Sequence, residues 1–143
     1  MYRFTCQKGG DFSAAHEIRD IVFIREQGFS MDIDGLDDSA YHYILYDGDR
    51  AVATSRAFLG EDGLCKIGRF AVLKEYRGQR LGARMMREFE EELRAVGAKK
   101  FKLSAQLRAA GFYEKQGYVR TGEIYYEEYC PHVDMVKEGT HGG

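Results

Sequence analysis

The chain has 143 residues, 44% of them hydrophobic, enough to bury one core without staples, so a single domain carrying one site is expected. Its 21 Lys and Arg nearly balance its 23 Asp and Glu, giving a net charge of −2, which argues against nucleic acid or an anionic membrane as partner, since both select a strong basic excess. Three scattered cysteines without a CxxC pair, no leader pattern and no apolar run near the roughly eighteen residues that span a bilayer exclude a disulfide framework, a zinc site and a transmembrane helix, and point to a soluble cytoplasmic protein.

Tyr2, Phe4 and Cys6 alternate with polar residues, the period of a half-buried strand, which Gly9 and Gly10 stop. Asp11 or Ser13 can then cap a helix carrying Ala14, Ile18, Ile21 and Val22, with Gly28 near its end. After the acidic segment SMDIDGLDDSA, three strand-like runs are punctuated by DGD and GEDG, the turn chemistry of hairpins. From Leu81 the apolar positions become Leu81, Met85, Met86, Phe89, Leu93 and Val96, a helical stripe ended by Gly97, with Glu88, Glu90, Glu91, Glu92 and Arg94 facing water. KKFKLSA reads as a strand, AAGFYEKQG as a short helix, and YVRTGEIYYEEY and HVDMVK as strands around the sole proline, Pro131. The order β-α-β-β-β-α-β-α-β-β describes a mixed sheet covered by helices, with an unstructured tail after Lys137.

Residues 72 to 84, VLKEYRGQRLGAR, mark the junction of a strand and a helix. Unpaired N–H groups of the first helical turn and the helix dipole make such a place an anion site. Arg77, Arg80, Arg84 and Arg87 follow at three- or four-residue steps, so they can line one side of the helix and favour a polyphosphate; the bland alternative is an ordinary turn with solvated arginines. Gly78 and Gly82 would let backbone approach the ligand. Neither GxGxxG nor GxxxxGK[ST] is present, so the Rossmann and P-loop readings drop out.

Arg77-Gly78-Gln79-Arg80-Leu81-Gly82 resembles the acetyl-CoA loop [Q/R]-x-x-G-x-[G/A] of the GCN5-related N-acetyltransferases, the GNAT superfamily, departing from it at Arg80, where a glycine is usual. KIGRFAVLKEYRG resembles the family's strand entering that loop, with Gly68 as the bulge residue, and AAGFYEKQGY resembles its downstream A-x-x-F-Y-E-K-x-G-F segment. A narrower likeness, carried by R-x-x-V-F-x-x-E-Q, D-x-D-x-x-D, a following His and a late Pro-His, is to small single-domain bacterial members; the N-terminal segment also resembles acyl-homoserine-lactone synthases. The resemblance implies a GNAT-like α/β (α+β) fold over residues 1–138, a mixed, mostly antiparallel central sheet of six to seven strands flanked by about four helices, with 139–143 as a flexible tail.

It also implies acetyl-CoA as co-substrate, no metal, and transfer of acetyl to a primary amine of a small molecule or peptide. The cofactor is expected on Phe70, Ala71, Val72, Arg77, Gly78, Gln79, Arg80, Leu81, Gly82, Ala83 and Tyr113. Tyr113 is the implied general acid, and a backbone N–H between Phe70 and Val72 would polarise the carbonyl. Candidates for the base are Glu26, Asp34, His42 and His132, of which His132 is best matched by its ordinary pKa; the alternative is a packing histidine after a turn proline. The acidic segment fails the EF-hand pattern; it reads as a solvated or capping loop, or as an attractant for a cationic amine through Asp32, Asp34, Asp37 and Asp38, with Phe29, Tyr41, Tyr43 and Phe58 as pocket walls. A non-catalytic acyl-CoA sensor and a homodimer formed by exchange of the last strands stay open.

Overall fold

The alternating segments become seven strands: β1 Tyr2–Lys8, β2 Tyr41–Asp47, β3 Arg50–Leu59, β4 Leu64–Val72, β5 Lys100–Gln106, β6 Val119–Glu127 and β7 Cys130–Glu138. In the computed structural model, which describes residues 1–30 and 34–139, they form one sheet in the order β1-β2-β3-β4-β5-β7-β6. Every pairing is antiparallel except β4 with β5.

That exception positions the site. β4 and β5 pair only from Leu64 with Lys100 to Ile67 with Leu103, although β4 continues to Val72 and β5 to Gln106. Beyond Ile67 the two strands part and leave an opening in the sheet. The cause lies on the other edge of β4, where Thr54 faces Ala71 but Arg56 faces Gly68. Ser55 alone therefore opposes Arg69 and Phe70, a β-bulge that bends β4 away from its neighbour. The bulge expected at Gly68 falls one residue later, on Arg69, whose φ of 49° lies in the left-handed region.

Among the described residues three α-helices pack on the sheet, against the expected about four: α1 Ser13–Arg19, α2 Leu81–Ala95 and α3 Ala110–Lys115. α1 runs directly into a π-helical stretch, Asp20–Glu26; the wider turn lets one continuous element reach the sheet opening, and such insertions gather at functional sites. Neither Asp11 nor Ser13 caps α1 with its side chain, since the N-cap is Phe12. Instead Asp11 accepts hydrogen bonds from the backbone and hydroxyl of Ser13.

In α2 the expected stripe is buried from Leu81 to Leu93, each large side chain contributing about 1.5–3 kcal/mol, whereas Val96 is exposed. Two acidic residues expected in water are not there. Glu90 is 2% exposed, accepting from Tyr118 at 2.9 Å, Lys137 at 2.7 Å and Arg94 at 3.3 Å. Glu88 accepts from the Tyr43 hydroxyl at 2.6 Å. Buried Glu90 persists as a carboxylate because it is paired and hydrogen-bonded, and Glu88 is half-buried. Glu138 and Gly139, expected in the tail, are placed in the fold: Glu138 closes β7, and buried Gly139 donates its N–H to Lys99 O at 2.9 Å. Thr140 to Gly143 lie outside the described residues. No helix among the described residues is long and apolar enough to cross a membrane.

Candidate active site

Past β4, Leu73 donates its N–H to Val52 O at 2.9 Å. By the two-residue alternation of a strand, Ala71 N–H also faces β3, whereas the polar backbone atoms of Val72 face the opening. Val72 O accordingly accepts from Arg77 Nε at 3.0 Å rather than from β3. The chain then turns through Gly78, φ 80°, and Arg80, φ 61° and ψ 19°, into α2. Arg80 thus adopts the left-handed conformation that the usual glycine would supply. No side chain caps α2, and Arg84 is the first amide to bond back, to Arg80 O at 3.3 Å. The N–H groups of Leu81, Gly82 and Ala83 are therefore left without helical acceptors and face a cleft of about 630 Å³. Open amides, two left-handed residues and the positive end of a fifteen-residue helix fit the diphosphate of a nucleotide-like carrier.

Of the residues expected to hold it, all line this cleft except Ala71, Gln79 and Tyr113. Ala71 is buried against β3, Gln79 accepts from the Tyr2 hydroxyl at 3.0 Å, and Tyr113 lines the neighbouring cavity. Two expectations about the basic stripe change. Arg77 is held in a two-pronged ion pair with Glu26 at 2.6 and 2.8 Å, and Arg84 bonds Glu88 at 3.2 Å over the ring of Tyr2. Arg84 and Arg87 do not line the cleft, which leaves Arg80 as the stripe's guanidinium there without a partner among the described residues. Gly82 matters for packing more than for ligand approach: a Cβ would meet Phe112 at 3.1 Å and Phe70 at 3.6 Å.

Those two rings also line a second cavity of about 420 Å³ on the other side of the opening. Tyr113 reaches it from α3, its ring edge-on to Phe70, Phe112 and Tyr118. Burial pushes its phenol well above the usual tyrosine range, so it stays protonated, and its hydroxyl has no hydrogen-bond partner among the described residues. His132 lines the same cavity. Its Nδ1 lies 2.9 Å from Cys130 O; a carbonyl only accepts, so Nδ1 carries the hydrogen and Nε2 of the neutral ring carries the lone pair. Nε2 sits 3.4 Å from Glu127 Oε2.

The remaining base candidates are engaged elsewhere. Glu26 is spent on Arg77. Asp34 is held to about 2, chiefly by hydrogen bonds from Arg56. His42 is buried, donates Nε2 to Asp37 O at 2.8 Å and is lowered by that burial. None of the three lines the cavity. In the acidic segment Asp34 and Asp37 are drawn into ion pairs with Arg56 and Arg19, while Asp38 stays exposed. Asp37 is 4% exposed; burial alone would raise its carboxyl, but hydrogen bonds from Arg19 and His16 outweigh this and hold it well below the usual range. Asp32 lies outside the described residues. Of the four expected walls only Phe29 lines the cavity, Tyr43 being fully buried in the core. Cys6, Cys65 and Cys130 are free thiols away from both openings, and burial pushes Cys65 up to about 12.

The acetyltransferase (GNAT) domain family matches residues 17–139. The chain belongs to the GNAT family. It is 34% identical over 127 residues to an uncharacterized N-acetyltransferase, YjcF, of Bacillus subtilis, covering 87% of this chain and 90% of that one, and 31% identical to protein ElaA of Escherichia coli, covering 85% and 84%. The crystal structure of Escherichia coli ElaA superposes with a TM-score of 0.87 over 96% of this chain and all of that one. An acyl-CoA N-acyltransferase from Pseudomonas aeruginosa superposes with 0.86 at 28% identity, over 96% and 99%. Within this GNAT domain, sequence reasoning missed Phe112, Lys115 and Gln116 in the cleft and Phe23, Gln27, Arg69, Arg108 and the two glutamates Glu127 and Glu128 in the cavity. Phe112, Lys115 and Gln116 sit inside the AAGFYEKQGY motif, and Phe23 and Gln27 inside R-x-x-V-F-x-x-E-Q, so the signal was present without a direction for each side chain. Among the described residues no cluster of three or more His, Cys, Asp or Glu is arranged to hold a metal ion.

Proposed function

We propose that the chain transfers an acetyl group from acetyl-CoA directly to a primary amine. One observation carries this reading: the break between β4 and β5 joins an amide-rich helix start on one side to a cavity holding Tyr113 and His132 on the other, with Phe70 and Phe112 common to both. The open amides of Leu81 to Ala83 and the side chain of Arg80 hold the diphosphate. Val72, whose backbone faces the opening, and Phe70 on the same edge orient the carrier's arm and polarise the acyl carbonyl through N–H groups. Bound acetyl-CoA supplies the thioester.

An alkylamine with a pKa near 10.4 enters mainly protonated at neutral pH. His132 Nε2, its lone pair fixed by the bond from Nδ1 to Cys130 O, takes that proton, and Glu127 beside it stabilises the charged ring. Tyr113 stays protonated because burial raises it, and it donates a hydrogen bond to the departing sulfur, which leaves as a thiolate and takes up the proton that the acylated nitrogen sheds. The same burial raises a thiol, as at Cys65, which narrows the gap between the two acids. A covalent acetyl-cysteine route has no support, since none of the three thiols lines either opening. The three free thiols accord with a cytoplasmic setting.

The test is thiol release from acetyl-CoA against a panel of amines, peptides and amino acids, beside calorimetric titration of CoA. Amine-dependent release is expected. CoA binding with no release for any amine would contradict transfer and favour a CoA-binding sensor.

A further inference from the structure

The cavity carries a charged feature that acetyl transfer by itself does not use. Arg69, the extra residue of the β4 bulge, keeps a left-handed φ of 49° although it is not glycine, and its side chain lines the cavity. Strain of this kind persists where the surroundings over-determine it, commonly at ligand sites. The surroundings here are a chain of alternating charges. Arg69 contacts Asp34 at 3.4 Å; Asp34 accepts from Arg56 at 2.9 Å; Arg56, 5% exposed, reaches Asp37 at 3.1 Å; and Asp37 is anchored on Arg19 of α1 at 2.8 Å. This chain absorbs the Asp34 and Asp37 positions of the acidic motif and the Arg19 position of R-x-x-V-F-x-x-E-Q.

A second guanidinium, Arg108, lines the same cavity. Its Nε donates to Gln106 Oε1 at 2.9 Å, and its terminal nitrogens have no hydrogen-bond partner among the described residues. The cavity's two carboxylates are occupied. Glu128 accepts from the Ser30 amide with both oxygens, at 3.1 and 3.2 Å, and Glu127 faces His132 and Ser104. The proton acceptor and its glutamate thus come from the β6–β7 hairpin, while the hydrogen-bond donors for an anion come from β4 and the turn Leu107–Ala109 between β5 and α3, with the phenylalanines lining the same cavity.

We infer that Arg69 and Arg108 hold a carboxylate, so that the acceptor is an amine bearing its own carboxylate, the free amino acids with apolar side chains being the simplest class. The inference rests on the transferase reading of this cavity, but its test does not require turnover. N-acetyl derivatives of leucine, methionine and phenylalanine, which would be products, and the corresponding N-acetyl primary amides are titrated calorimetrically into CoA-saturated protein. The acids are expected to bind about tenfold or more tighter than the amides, the range of a charge-assisted hydrogen bond. Arg108→Gln, an exposed position, should bring the ratio close to one with CoA affinity unchanged; Arg69→Gln should do the same if it folds. Equal binding of acids and amides, no binding by any acid, or an acid preference that survives Arg108→Gln would overturn the inference. Acid-selective binding in a protein that never releases thiol would leave the carboxylate site standing and remove the transferase reading instead.

Discussion

Replacing Arg80 with glycine should make the protein more stable, an unusual outcome for a glycine placed at the start of a long helix. At φ 61° and ψ 19° the Cβ of an L-residue crowds its own carbonyl, at a cost of about 1–2 kcal/mol. Glycine has no such clash, but its unfolded chain is freer, which returns about 0.5–1 kcal/mol. The Arg80 side chain has no partner among the described residues, so nothing else is lost. The net gain is about 0.5–1 kcal/mol, or roughly 2–4 °C in Tm for a domain of this size. Arg80→Ala retains the Cβ and should stay within about 0.5 kcal/mol of the native protein. Urea unfolding of the three proteins, with m-values compared, measures the difference directly. If Arg80→Gly is no more stable than Arg80→Ala, the arginine is not strained and the left-handed turn ahead of α2 is not the feature that aims its amides.

Tyr113→Phe removes one hydroxyl from a packed ring cluster; kcat should fall about 10²–10⁴-fold with calorimetric CoA affinity unchanged, and equal rates at saturating substrate would remove the acid role. The Asp34–Arg56 pair makes stability pH-dependent. The folded carboxyl titrates at about 2, below its unfolded value near 3.9, so its contribution is complete above about pH 5 and disappears as pH falls through 2. Solvent screening at the partly exposed carboxylate holds that contribution to at most about 2 kcal/mol, and Asp37 acts in the same direction. Urea midpoints should drop across that window, less so in Asp34→Asn; a flat profile would show that the pair adds nothing.

Much of the scaffold was legible because its signals are local. Two-residue alternation marked β1, the DGD and GEDG turns marked the three strands of the meander, and the stripe from Leu81 to Leu93 marked α2 with its ends nearly right. The turn ahead of α2, proposed here to hold CoA, drew notice through Arg77, Gly78 and Gly82 together with the downstream FYEKQGY segment. What stayed hidden depends on partners distant in sequence. Glu90 looks like a solvated helix residue until Tyr118 and Lys137 arrive from α3–β6 and β7, and Arg77 looks like a phosphate ligand until Glu26, 51 positions away, claims it. The bulge at Arg69 and the left-handed Arg80 were hidden for another reason. Both are non-glycine residues in conformations that composition assigns to glycine, so the neighbours Gly68 and Gly78 drew the expectation. The π-helical run from Asp20 to Glu26 leaves almost the same apolar spacing as an α-helix, and periodicity alone does not separate them.

The central claim is that the open amides at the start of α2 receive the diphosphate of CoA. Backbone amide NMR during a CoA titration tests it most directly. Gly78, Arg80, Leu81, Gly82 and Ala83 should shift together with a single saturable affinity, Val72 should follow, and the far end of α2 near Leu93 should stay in place. Unmoved resonances from residues 78 to 83 at millimolar CoA would contradict the account.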